Sequence, residues 1–170
     1  MLGYHSIPCD FFEPSRQIAS SRERQEWIRW IHGWQSWCVM VTLTFHRQAF
    51  RGYITTYPEI ERALRHFRRL INCELFNKRR VSKGWTVGFA PTVGMGAYGN
   101  HPHAHVLIAL PTVASRTALD QSIIRAIRKT RLINREFQIS AYLNDGGARY
   151  LVEHGTDRMV VPLLTPAWTE

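Results

Sequence analysis

The chain has 170 residues, of which 45% are hydrophobic and 21% charged, and this composition excludes a disordered tail. The length predicts a single domain over residues 1–170. We expect its core at about 23–155, with loose ends at 1–20 and after Gly155. The chain has three widely spaced cysteines, no apolar run near the roughly 20 residues that cross a bilayer and no visible signal peptide, so we expect no disulfide framework, no membrane partner and a cytoplasmic location. Its 22 basic residues against 13 acidic ones give a net charge of +9, which attracts polyanions such as nucleic acid or anionic lipid without choosing between them.

The first predicted element is a helix over residues 23–37, in which five apolar residues recur at helical spacing. They are Trp27, Trp30, Ile31, Trp34 and Trp37. Such a stripe is typical of a face packed into the core, although indoles can also form a platform on which unpaired bases stack. We favour the core. A strand follows over residues 38–45, where alternate apolar residues share one face. These are Val39, Val41, Leu43 and Phe45.

A second helix is predicted from Pro58 to about Phe76, because proline suits a first turn and apolar residues recur every three or four positions. Its outward face and the segment after it carry eight cations, offset only by Glu61 and Glu74. The cations are Arg62, Arg65, Arg68, Arg69, Lys78, Arg79, Arg80 and Lys83. An ordinary solvated face mixes both signs of charge, and arginine binds phosphate through a two-pronged fork. We therefore interpret this surface as one that contacts the phosphates of a nucleic acid.

The second half of the chain predicts two strands over residues 85–98 and 102–110, joined by a turn at 98–101. An amphipathic helix over 116–130, a strand over 135–142 and a short helix over 146–154 follow. The resulting order of elements predicts the α+β class, with a central antiparallel sheet and helices packed on it.

The most specific local feature is a histidine pair on the predicted strand at 102–110. Because residues two apart on a strand point the same way, His103 and His105 project from one face about 7 Å apart. Two neutral imidazoles suit a transition metal, and they tolerate Mn²⁺ or Mg²⁺ if an oxygen ligand completes the site. A third histidine, His101, shares their parity. The alternative is that the pair lies on an exposed sheet face without a ligand.

A second feature is Tyr150 on the short last helix. His154 lies four residues on and shares its face, and Glu153 lies close to that face. One helix turn therefore presents a phenol together with two metal-binding side chains, which is the arrangement that a tyrosine nucleophile needs. The bland alternative is a half-buried tyrosine that anchors the helix.

Together these segments resemble the HUH endonuclease superfamily, and most closely its rolling-circle replication initiators of small plasmids and phages. Residues 41–45 look like the first motif, residues 102–108 like the His-hydrophobic-His metal motif, and residues 149–154 like the catalytic tyrosine helix. The motifs follow in the family's order across residues 39–155. The resemblance implies an RRM-like, ferredoxin-like nuclease core, which agrees with the helix and strand order read from the residues.

The resemblance also implies a function, namely metal-dependent nicking and joining of single-stranded or stem-loop origin DNA. His103 and His105 would hold Mg²⁺ or Mn²⁺ at the scissile phosphate, and Tyr150 would become linked to the 5′ phosphate. The free 3′ hydroxyl would then prime synthesis. A host helicase and polymerase are the implied partners, since no Gly-rich phosphate loop of the GxxxxGK[ST] kind occurs in this chain.

Two positions depart from the initiators. They usually carry lysine three residues after the tyrosine, where this chain has Glu153, and many supply an acidic metal ligand from the strand before the histidines, where this chain has Ala97. Single-tyrosine transposases of the same superfamily take the third ligand from the tyrosine helix. By that precedent His154 is the first choice, Glu153 the second and His101 the third.

Three other functions fit parts of the pattern. A single-tyrosine transposase or a mobilisation relaxase would share the motifs and differ in its substrate. A non-catalytic, basic RRM-like domain would keep the arginine surface and lose any dependence on Tyr150. A metal-binding protein unrelated to DNA would leave the excess of arginine unexplained.

Overall fold

The structure, a computed structural model, describes residues 21–48, 54–95, 101–110, 114–153, 158–160 and 163–167. Its elements are α1 (Ser21–Trp34), β1 (Trp37–Phe45), α2 (Tyr57–Ser82), β2 (Gly88–Gly94), β3 (His103–Ala109), α3 (Arg116–Lys129), β4 (Ile133–Ala141), α4 (Gly146–Glu153) and β5 (Arg158–Met159). The predicted loose end at residues 1–20, Cys9 and the turn residues 98–100 lie outside the described part.

The strands form one antiparallel sheet in the order β4-β1-β3-β2-β5. The run β1-α2-β2-β3-α3-β4 is the βαββαβ arrangement called ferredoxin-like, with α1 added before it and α4 after it. The α+β class with a central antiparallel sheet is therefore confirmed. Among the helices of the described residues, none is both long enough and apolar enough to span a bilayer.

The sheet separates two hydrophobic cores, because successive side chains of a strand alternate between its faces. One face packs against α2 and α3, and its buried residues include the predicted stripe of β1 and Phe67 of α2. The other face packs against α1 and α4 through Ala90 and Leu107. Two helices therefore lie on each side of the sheet, and α4, which carries Tyr150, belongs to the second core.

The tryptophan-rich segment packs into this second core, as the periodic stripe indicates. Trp27 and Ile31 are buried, and the rings of Trp30 and Trp34 stack with centroids 4.7 Å apart. The helix ends at Trp34, earlier than predicted, and Trp37 begins β1 instead. Its indole Nε1 donates a 2.6 Å hydrogen bond to the carbonyl of Ile31, which holds the helix end against the strand.

Helix α2 begins as predicted and runs further. Thr56 caps its first turn together with Glu59, whose carboxylate accepts from the Thr56 N–H at 2.8 Å. At Asn77 the backbone leaves helical geometry with φ 59°, and the Asn77 Oδ1 accepts from the N–H of Arg80 at 3.1 Å. The sequence pattern that stops at Phe76 therefore marks this kink, after which a second helical segment carries the remaining cations.

The segment after Gly155 differs from the predicted loose tail. β5 pairs with β2, Thr165 exchanges two backbone hydrogen bonds with Phe89, and Leu163 is fully buried. The guanidinium of Arg68 donates to the Leu163 carbonyl at 3.3 Å and to the Thr165 hydroxyl. The core thus extends to about residue 167, and the tail closes the β2 edge of the sheet.

Candidate active site

The histidine pair lies on the central strand β3, on the sheet face that α1 and α4 partly cover. Cross-strand pairing places His105 between Thr42 of β1 and Thr92 of β2, and it places His103 beside Thr44. The two imidazole centroids are 5.3 Å apart. The predicted parity is confirmed, because Ala104, Val106 and Ile108 are fully buried in the core of the opposite face.

His105 is the more deeply placed of the two, with only 3% of its surface exposed. Its Nδ1 lies 3.1 Å from the hydroxyl of Thr42. Burial, and to a smaller degree the charge of His103, lowers the pKa of His105 to about 4. The ring is therefore neutral near pH 7 and keeps a lone pair, which is the form in which histidine binds metal.

His103 has its tautomer set by the backbone. Its Nδ1 donates a 2.8 Å hydrogen bond to the carbonyl of His101, and a carbonyl oxygen can only accept. The proton of the neutral ring consequently sits on Nδ1, and Nε2 carries the lone pair. A carbonyl that orients a histidine in this way is the usual support of a metal ligand.

Helix α4 brings Tyr150 to the same face. Ala148, Leu151 and Val152 repeat at helical spacing and are buried against α1, which fixes the rotation of the helix. Tyr150 then lies over the sheet, with its ring centroid 4.8 Å from that of His105 and the two rings nearly perpendicular at 88°. The side chain is 39% exposed, so the phenol adjoins both the imidazoles and solvent.

Gly147 sets how closely α4 approaches the sheet, a role that the sequence analysis did not identify. A Cβ at this position would lie 2.5 Å from the Tyr142 ring and 3.5 Å from Leu107. The Tyr142 hydroxyl is itself held 2.9 Å from Nδ1 of His32 on α1. The sequence offers one sign of this close approach, the pair of glycines at the start of α4. Glycine is common at helix starts for other reasons, so the pair alone did not predict the approach.

The sequence predicts a third ligand beside the histidine pair, from His154, Glu153 or His101. No group of three His, Cys, Asp or Glu residues comes together within the ranges that the structure describes. His154 lies outside those ranges, and Glu153 is described only as the last residue of α4. His101 is exposed and uses its carbonyl to orient His103. The possible donors among the described residues are therefore the two imidazoles, whose ring centroids are 5.3 Å apart, and imidazole nitrogen is a common ligand of divalent transition metals.

The predicted phosphate-binding cations of α2 lie elsewhere. The buried face of α2 packs on the side of the sheet opposite to the histidines, so its outward arginines point away from Tyr150. Several of them also have local roles. Arg65 pairs with Glu61, Arg68 holds the tail, and the Arg80 guanidinium lies 4.6 Å from the centre of the Trp85 ring. The remaining members are exposed, and these are Arg62, Arg69, Lys78, Arg79 and Lys83.

The fold thus joins two of the three predicted features and separates the third. Two imidazoles and a phenol lie together at one end of one sheet face. The α2 cations occupy the outer surface across the sheet. Comparison of the chain with protein-family models, curated proteins and solved structures finds no match in any of the three.

Proposed function

We propose that the chain is a metal-dependent endonuclease and strand transferase of the HUH type, which nicks and rejoins single-stranded or stem-loop DNA at a replication origin. The observation that carries this proposal is the 4.8 Å contact between the rings of Tyr150 and His105, beside a second imidazole at 5.3 Å. His103 and His105 share a face by strand geometry, but Tyr150 could have lain on the opposite face of the sheet. Their meeting on one face supports a common chemical role.

The proposed reaction is a transesterification between the Tyr150 phenol and a phosphodiester of the DNA strand. The Tyr150 Oη attacks the scissile phosphorus, the new P–Oη bond forms, and the P–O3′ bond breaks. The phenol loses its proton and the departing 3′ oxygen gains one, so the products are a 5′-phosphotyrosine and a free 3′ hydroxyl. Attack by a DNA 3′ hydroxyl on the phosphotyrosine reverses the step and rejoins the strand without an added energy source.

His103 and His105 would hold the divalent cation, Mg²⁺ or Mn²⁺, with a further ligand from Glu153, His154 or His101. When bound, such a cation polarises a phosphate oxygen and offsets the charge that develops in the transition state. The protein holds the two imidazoles in fixed orientations. The His101 carbonyl fixes the tautomer of His103, and Thr42 orients the ring of His105. The buried face of α4 holds the phenol over the pair.

A covalent-adduct assay tests the proposal. The protein is incubated with Mn²⁺ and labelled stem-loop or single-stranded oligonucleotides, and adducts that survive denaturation are counted. We expect an adduct with the wild type and none with Tyr150→Phe. The matched control is Tyr142→Phe, which removes a phenol hydroxyl near the start of α4 that contacts His32 rather than His103 or His105, and it should leave the adduct. Loss of the adduct in both variants, or in neither, would contradict the assignment of Tyr150.

Substitution of the histidines provides a second test. His103→Ala and His105→Ala should abolish the adduct while DNA retention at low salt persists, because the exposed arginines are separate from the pair. His32→Ala, on α1, serves as the control. A transposase or relaxase would pass the same tests, and it would differ in acting on transposon-end or transfer-origin DNA.

A second candidate function is nucleic-acid binding without catalysis. It is favoured by the exposed cations of α2, which lie across the sheet from Tyr150 and would attract a polyanion whether or not the phenol reacts. Under this function Tyr150→Phe changes neither binding nor any covalent product. Wild-type protein that retains DNA yet gives no adduct with any origin-like strand would establish this function and overturn the first.

A further inference from the structure

A cationic groove lies at the end of the sheet where β1 stops and β4 starts, on the side of α2 and α3. It consists of two adjoining cavities of about 710 and 1040 Å³, and His46, Thr130 and Arg131 line both of them. Arg62 forms part of the wall of the first cavity, and Arg128 part of the wall of the second. The groove is therefore a concave surface built from three elements, α2, α3 and β4, and the turns beside them.

The walls of the groove carry five cations against two carboxylates, Glu59 and Glu136, and one of the cations, Lys129, pairs with Glu74. Four arginines line it and are exposed, and no ion pair joins any of them to a carboxylate of the described residues. They are Arg62, Arg128, Arg131 and Arg135. Of the two acidic residues on the walls, Glu59 is engaged by the N–H and hydroxyl of Thr56. A solvated face ordinarily mixes both signs of charge, so this concentration of arginine indicates an anionic ligand.

An exposed aromatic ring completes the groove. Phe137 of β4 lines the second cavity and is 38% exposed. A ring beside unpaired arginines is the combination that binds single-stranded nucleic acid, in which phosphates meet the cations and a base stacks on the aromatic face.

The groove also leads to the candidate active site around the open edge of β4. Thr44 pairs with His103 on one side, and its hydroxyl donates to the Glu136 carbonyl of β4 at 2.8 Å on the other. His103 is thus two strand spacings, about 10 Å, from the groove residue Glu136. The amide of Phe45 donates to the Pro102 carbonyl, which fixes the same end of β1 next to the histidine strand.

We infer that this groove binds the sugar-phosphate backbone of single-stranded DNA and directs the strand around the edge of β4 to Tyr150. The inference rests on the proposed function for the identity of the strand and its destination. It assigns the main phosphate contacts to Arg62, Arg128, Arg131 and Arg135, and it assigns a base-stacking role to Phe137. Of the eight cations expected from the sequence, only Arg62 belongs to this set.

The test compares the salt dependence of binding for two charge-matched double variants. Arg131→Gln with Arg135→Gln removes two groove cations, and Arg69→Gln with Arg79→Gln removes two exposed cations of α2 outside the groove. Binding to a labelled oligothymidine is measured by fluorescence anisotropy across a salt series. For single strands each phosphate contact contributes about 0.7 to the slope of log K against log salt, so the groove variant should lose about 1.4 in slope. The α2 variant should keep the wild-type slope.

Phe137 gives a second, independent measurement. Phe137→Ala should weaken binding of oligothymidine by roughly 5-fold or more while leaving an abasic oligonucleotide of equal length unaffected, because only the former offers bases for stacking. An unchanged slope in the groove variant, or an equal loss in both double variants, would overturn the inference. Thermal unfolding of each variant verifies that the fold is intact.

The outcomes separate this inference from the proposed function. If Arg131→Gln with Arg135→Gln loses affinity but no Tyr150-dependent adduct forms with any strand, the groove assignment is supported and the nuclease function is overturned. If the adduct forms and the groove variant binds like the wild type, the nuclease function stands and the groove assignment falls.

Discussion

Lowering the pH of the metal-free protein from 6.5 to 4 should cost about 3 kcal/mol of unfolding free energy through His105 alone. In the folded protein, burial lowers the pKa of this imidazole from its ordinary value near 6.5 to about 4. In the unfolded chain it titrates at the ordinary value, so between these two pH values the unfolded state binds more protons. The contribution is complete above pH 6.5 and is lost as the pH falls toward 4.

The magnitude follows from the difference between the two pKa values. They differ by about 2.5 pH units at about 1.4 kcal/mol per unit, which gives about 3–4 kcal/mol for the complete titration. About 3 kcal/mol of this falls between pH 6.5 and 4, because the imidazole is already half-protonated at pH 6.5 in the unfolded chain and only half-protonated at pH 4 in the folded protein. Such a loss is a large part of the stability of a domain, which is typically about 5–15 kcal/mol. The cause is the cost of burying a charged ring between two strands, and Thr42 cannot offset this cost with its single hydroxyl.

Urea unfolding in EDTA, followed by tryptophan fluorescence at steps from pH 7.5 to 4.5, measures the effect. The wild type should lose stability across this range, and His105→Gln should show a much flatter profile. His103→Gln is the matched control and should keep most of the slope, since burial is a larger cause than the charge of His103. Parallel profiles for the wild type and His105→Gln would refute a buried, neutral imidazole at this position.

Three further predictions concern the supports of the site. Gly147→Ala should abolish the covalent adduct and destabilise the fold, because the new Cβ would lie 2.5 Å from the ring of Tyr142. Gly33→Ala is the control: no atom lies within 4 Å of its new Cβ, so it should raise the free energy of unfolding by about 0.5 kcal/mol in the same urea titration. Leu163→Ala should cost about 2–5 kcal/mol, measured by urea unfolding, and a change below 1 kcal/mol would contradict packing of the tail in the core. Asn72→Ala should cost about 1–3 kcal/mol in thermal unfolding, because it leaves the buried N–H of Val87 without its 3.0 Å acceptor.

The periodic parts of the fold were predictable from sequence because each has a strong pattern. The alternation around Val41 gave the buried face of β1, and the stripe of α2 gave the helix up to the point where Asn77 interrupts it. The parity of His103 and His105 depends only on strand geometry, so the shared face was predictable as well. Its meeting with Tyr150 rested on the motif resemblance, and the fold brings the three together.

Other features depend on contacts between distant segments. Arg68 forms hydrogen bonds with residues almost a hundred positions further along the chain, and the pattern of an amphipathic helix does not predict such partners. The groove escaped prediction for the same reason, since Arg62, Arg131 and Arg135 become neighbours only when α2, α3 and β4 meet at one end of the sheet. Charge counted along α2 predicts an anionic ligand on that helix, whereas we place its main contacts in the groove.

The two cores on opposite faces of the sheet have a consequence for how the molecule can change. Tyr150 lies on α4, which packs with α1 on one face of the sheet, whereas Arg62 and Arg128 lie on helices that pack on the other face. The sheet separates the two cores, so a substitution on one face should hardly disturb the packing on the other. The changes in unfolding free energy caused by substitutions on opposite faces should therefore add. Under the proposed function, substitutions in the groove would therefore change the affinity for a strand without changing the reactivity of the phenol, and substitutions around α4 would do the reverse.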